Sequence, residues 1–227
     1  MSPLSLKLNY EASRLMLEII GLVSYFFPHL CYSNVVSAWE NYIQFHSTIL
    51  NQSSVGASLD GLVLEIIELS SSSDSIIFTA GNGGSATTAD HFSADLALTR
   101  KRVGVNVSSL CLNSHLALNT ALANDFGYEN ALAEHLENFA SKNGLLVVFS
   151  ASGNSRNLLN LIEKASVFGL RSWALLGFDG GSISQLKSVE SVIFSDELRN
   201  YGVAENLHLM ATHYVVDQVN LALKKKT

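Results

Sequence analysis

The feature that most constrains this chain is a change of rhythm at residue 75. From there on, short apolar runs recur: "SIIFTA" (75–80), "VNVSSLCL" (105–112), "LLVVFS" (145–150), "SWALLG" (172–177) and "SVIFS" (191–195). Between them lie stretches expected to be helical, at 86–98, 129–141, 156–168 and 203–223. Strands that are apolar throughout and separated by helices need cover on both faces, which predicts a parallel sheet. The expected fold class is α/β, a three-layer sandwich with a five-stranded, mostly parallel sheet flanked by helices. Such a sheet is doubly wound in the flavodoxin-like manner.

Ahead of the sheet, "NVVSAWENYIQFHSTIL" and "ASLDGLVLEIIEL" read as two packing helices, and "SSSSD" (70–74) as a linker. This divides the chain into a helical N-terminal extension over 1–32 and a domain over 33–227. The apolar run "LMLEIIGLVSYFF" (15–27) contains Glu18 and stops at Pro28. It falls short of the roughly 20 apolar residues of a membrane span, so no span is expected. Hydrophobic residues make up 48% and charged residues 15%, which argues against disorder over most of the length. The net charge is −6, and the only basic clusters are "RKR" (100–102) and "KKK" (224–226). No nucleic-acid partner is expected from that balance. The two cysteines, Cys31 and Cys111, have no metal-ligand spacing, which fits a reducing, cytoplasmic location.

In a parallel α/β sheet, ligands bind where strand ends feed helix N-termini. Three loops qualify: "GNGGS" (81–85), "SASGNS" (150–155) and "GFDGGS" (177–182). The first offers backbone N–H groups that can approach an anion at a helix start. It matches neither a dinucleotide fingerprint nor a nucleotide-triphosphate loop, so no nucleotide cofactor is expected. The second gathers Ser150, Ser152 and Ser155 around one turn, with Asn154 or Ser155 as the helix cap. Three hydroxyls there suit the oxygens of a phosphomonoester without a lysine or a metal. The third reads as a tight connection, its glycines serving positive φ and Asp179 a local turn.

The ordered set "GNGGSATTADHF", "ALANDFGYENAL", "SASGNS" and "LLGFDGGSISQL" resembles the sugar-isomerase (SIS) domain family. Within it, the phosphoheptose isomerases are most similar; they interconvert sedoheptulose 7-phosphate and D-glycero-D-manno-heptose 7-phosphate. The likeness runs from about residue 33 to the C-terminus. It implies that Asn82, Gly83, Gly84 and Ser85 line a sugar-phosphate site, that Asn124 and Asp125 touch substrate, and that Ser150, Ala151, Ser152 and Ser155 hold the phosphate. A helical His-x-x-x-Glu supplies a metal ligand and the catalytic carboxylate in the family; here it is His91 and Asp95. A late helix supplies Gln and, eight residues on, His; here these are Glu205 and His213. The resemblance further implies a homotetramer with shared sites, a small phosphorylated sugar as ligand, and a role feeding heptose into surface polysaccharide.

Those residue types suit the chemistry. Moving a carbonyl between C1 and C2 through an enediol needs one group as base and another as acid. Asp95 and His213 are the expected pair. His91, Asp95, Glu205 and His213 are also adequate donors for Zn2+, one per subunit. Three positions depart from the family pattern. Asp95 is a methylene shorter than Glu, Glu205 adds a negative charge expected to lie beside Asp95, and Thr99 stands where a basic residue is expected one turn later. Arg100 and Arg102 are the nearby cations. Two function classes follow: a phosphosugar isomerase, or a non-catalytic SIS module that binds a sugar phosphate or docks on a partner. His208 is read as packing or interface.

Overall fold

The computed structural model describes residues 28–139 and 143–224, with side chains from residue 38 onward. The helix expected over 15–27, and most of the 1–32 extension, lie outside the described residues. The chain divides into a unit over 1–48 and one over 49–227. Most of helix α1 (Pro28–Leu50) belongs to the first. Trp39 and Tyr42, three residues apart on α1, stack with ring centroids 6.0 Å apart.

The second unit runs α2 (Ser53–Leu69), β1 (Ile76–Ala80), α3 (Gly84–Ala97), α4 (Thr99–Val103), β2 (Ser109–Cys111), α5 (Leu116–Phe126) and α6 (Tyr128–Glu137). It continues with β3 (Gly144–Ser150), α7 (Arg156–Val167), β4 (Arg171–Phe178), a 3-10 turn (Ile183–Gln185), β5 (Glu190–Ser195) and α8 (Tyr201–Lys224). All five strands are parallel, in the order β2-β1-β3-β4-β5. β3 is buried along its whole length, as its unbroken apolar run requires. Phe78, Leu146 and Val148 face a core filled by Leu136, Leu158 and Leu161 of α6 and α7. On the other face, α3 and α8 pack on the sheet and α2 packs on α8. There Phe92 of α3 meets Phe149 of β3 edge to face, with centroids 5.9 Å apart.

The order reverses between β1 and β3, so the crevice for a ligand opens where the loops after those two strands diverge. These are "GNGGS" and "SASGNS". The structure departs from the sequence expectation in two elements. β2 has three residues rather than the eight of 105–112, because only Ser109–Cys111 find partners on the five-residue β1. Helix α5 was not anticipated; none of its residues is buried, although Leu118, Leu122 and Phe126 recur at four-residue intervals. Among the described residues, no helix is long and apolar enough to cross a membrane.

Candidate active site

Helices α3 and α8 run side by side in the same direction, and the contacts between them set the site. At their N-terminal ends, the Glu205 carboxylate lies against Gly84 so closely that a Cβ there would overlap it. Two turns on, Nε2 of His91 and Nε2 of His213 are 3.1 Å apart. Asp95, one turn beyond His91, brings Oδ2 to 3.2 Å from the His91 nitrogen and 4.0 Å from that of His213. Its Oδ1 accepts a hydrogen bond of 2.8 Å from Nη2 of Arg102, on α4. The four line one hollow with Val216, Asp217 and Asn220.

Two imidazole nitrogens and a carboxylate oxygen, all within 4.8 Å of one another, form a group able to hold a metal. Their donor chemistry fits Zn2+, with three protein ligands and an open fourth position. Glu205 is not in this group, which corrects its expected place as a metal ligand and as a charge beside Asp95. Eight residues of helix separate it from His213, about 12 Å along the axis at 1.5 Å per residue. The charge beside Asp95 is instead the Arg102 guanidinium. Thr99 is fully buried, its hydroxyl without a hydrogen-bond partner, and faces away from this role.

Glu205 lines a second, smaller hollow of about 110 Å³ with Asn82, Ser85, Ser150, Ala151, Ser152, Ser155 and Tyr201. The Ser150 hydroxyl accepts the Gly153 N–H at 3.0 Å and the Ser152 hydroxyl accepts the Asn154 N–H at 3.3 Å. Their lone pairs thus hold the turn while their protons stay free to donate to an acceptor-only group such as phosphate. Ser155 occupies the N-cap of α7 yet makes no capping bond through its side chain. The "GFDGG" turn braces this loop from behind: a Cβ at Gly153, whose φ is +62°, would run into the Gly180 carbonyl. Asp179 accepts the Gly181 N–H at 3.2 Å, the local turn expected of it.

Asn82 is committed elsewhere. Its amide exchanges two hydrogen bonds with Asn157, of 2.9 and 2.8 Å, and its oxygen also accepts the Tyr128 hydroxyl at 2.7 Å. What it offers a ligand is backbone. Asn113 clamps the same loop through both polar groups of Gly81, each at 3.0 Å. Asn113, Tyr128 and Asn157 were missed from sequence, because an asparagine that pairs across loops carries no local pattern. Beyond Asn82 and Ser155 opens a larger hollow of about 740 Å³, lined also by Tyr128, Glu129, Arg156 and Asn160. Asn124 and Asp125 are exposed on α5 and line none of these three hollows. Gly83, at φ +54°, caps α3 from the N-terminal side.

His208 lies on α8 too, but inside the core, with ring centroids 6.1 Å from Phe149 and 5.5 Å from Phe194. Burial pushes its pKa down to about 4, the neighbouring Leu176 backbone giving only a partial offset.

The SIS domain family model matches residues 57–177. A phosphoheptose isomerase of Helicobacter pylori (strain Shi470) is 36% identical over 141 residues, covering 62% of this chain and 72% of the relative. That of Aliarcobacter butzleri is 32% identical over 139 residues, covering 61% and 72%. Among solved structures, a phosphoheptose isomerase from Francisella tularensis superposes with a TM-score of 0.73 at 20% identity, covering 84% of this chain and 98% of that one. One from Neisseria gonorrhoeae gives 0.73 at 20% identity, covering 83% and 99%. With the SIS domain model matching more than half of its length and curated phosphoheptose isomerases more than 30% identical to it, this chain belongs to the SIS domain family, among its phosphoheptose-isomerase-like members.

Proposed function

We propose that the chain is a phosphosugar aldose–ketose isomerase that converts sedoheptulose 7-phosphate to D-glycero-D-manno-heptose 7-phosphate. The observation that carries this is the convergence of His91, Asp95 and His213 from two helices whose N-terminal ends border a serine-lined hollow. The relatives named phosphoheptose isomerase support it. The phosphoryl group would sit against Ser150, Ser152 and Ser155, at the N-terminus of α7, where hydroxyl protons and the helix end favour an anion. The separation of about 12 Å between Glu205 and His213 suits a long sugar phosphate whose C1 and C2 lie at the triad.

There, Asp95 and His213 would move the proton between C1 and C2, one as base and the other as acid. Zn2+ held by His91, Asp95 and His213 would occupy the same Oδ2 and Nε2 atoms, so its Lewis-acid polarisation of the sugar oxygens would be an alternative to proton transfer through them. Asn124 and Asp125 point to solvent in this chain, so their contact with substrate would come from a neighbouring copy. A homotetramer with shared sites stays part of the proposal, as does a cytoplasmic location.

The test is an isomerase assay over a panel of ketose phosphates, with and without a chelator. Turnover of sedoheptulose 7-phosphate is the expected result. Micromolar binding of ketose phosphates with no turnover of any would assign the chain to the non-catalytic module instead.

A further inference from the structure

Asp95 reaches the imidazole pair although its side chain is short, and the reason lies on α4. Its two oxygens face different partners: Oδ1 receives Nη2 of Arg102 at 2.8 Å, and Oδ2 stands 3.2 Å from Nε2 of His91. A carboxylate with one free oxygen and no second partner turns about its terminal torsion, which is broad. Tying Oδ1 removes that freedom and leaves Oδ2 aimed at the site. The residue one turn after Asp95, Thr99, is buried and carries no charge. Arg102 comes from the next turn, where the chain breaks between α3 and α4 and a long side chain can reach back.

The pair is poorly placed to stabilise the fold. The Arg102 side chain is 42% exposed and that of Asp95 17%, and ion pairs this open to solvent contribute little to stability. We infer that Arg102 is a positioning residue: it fixes the Asp95 carboxylate so that one oxygen is presented to His91, His213 and the reacting atoms. The inference rests on the isomerase reading for its catalytic consequence, but the geometry it asserts can be read without turnover.

The test compares Arg102→Gln, Arg102→Lys and, as a matched control on the same helix, Arg100→Gln. The Arg102→Gln variant is expected to lose about ten- to a hundredfold in kcat, the scale of a misplaced catalytic group. Its KM for sedoheptulose 7-phosphate and its melting temperature should hardly move, and Arg102→Lys should recover part of kcat. In metal-free protein, the imidazole nitrogen resonances of His91 and His213 should shift in Arg102→Gln and stay in place in Arg100→Gln. Unmoved resonances, an equal effect of Arg100→Gln, or wild-type kcat in Arg102→Gln beside an active parent would each overturn the inference. If the parent chain shows no turnover, the isomerase reading fails on its own, and the resonances alone decide the role of Arg102.

Discussion

Nε2 of His91 and Nε2 of His213 lie 3.1 Å apart, although 122 residues of chain separate them. At that distance both nitrogens, with Asp95 beside them, can face a single metal ion. Both side chains are about half exposed, so neither is needed for the core. His213→Ala is expected to cut kcat at least about a hundredfold while leaving the melting temperature within a few degrees. Turnover assays beside thermal denaturation check both halves.

Gly84→Ala tests the contact at the other end of the same helices. The new Cβ would overlap the Glu205 carboxylate, the far end of a flexible and partly exposed side chain, so the cost is that of pushing this side chain off its rotamer, about 1 kcal/mol. Adding Glu205→Ala removes the obstacle, so the double variant should regain the melting temperature lost in the single one. If it stays as unstable as Gly84→Ala alone, the contact is not what limits residue 84.

Glu205 also lines the serine hollow, where a phosphoryl group would meet a like charge. Glu205→Gln should therefore lower both KM for the sugar phosphate and the inhibition constant of inorganic phosphate. At the partly screened distances of an open site the expected gain is about tenfold. Inhibition by inorganic phosphate that is unchanged in the variant would place the phosphoryl group elsewhere.

Asn157 is buried and gives both its amide groups to Asn82. Asn157→Ala leaves a polar loop side chain without those partners, at a cost of about 1–3 kcal/mol. Because the glycine loop is then less firmly held, KM should rise as well. Denaturant melts and steady-state kinetics measure the two effects separately.

His208 supplies a pH dependence of stability. Its folded-state pKa of about 4 lies below the 6.5 of an ordinary histidine, so the unfolded chain takes up a proton first as pH falls. Stability is full above about pH 6.5 and declines toward pH 4, by up to about 3 kcal/mol from this group. Melting temperature followed across that window should fall in the parent and fall less in His208→Leu. Parallel curves for the two would show that other groups set the acid limit.

The β-branched runs and their alternation with helices determined the parallel sheet, because a strand apolar on both faces has one stable environment. The glycine and serine loops were legible for a related reason: positive φ, close backbone approach and helix capping are local demands that residue type answers directly. His91 and Asp95 could be placed on one helix face from their spacing of four. Sequence spacing could not say that Glu205 would fall at Gly84 while His213 met His91, since that depends on how far α8 is slid along α3. Nor could it show Arg102 reaching Asp95, Asn157 holding Asn82, or α5 forming with no buried residue. Those are contacts between elements distant in the chain or across a helix break, and only the packing of whole helices on the sheet, which fixes their offset and direction, decides which side chains meet.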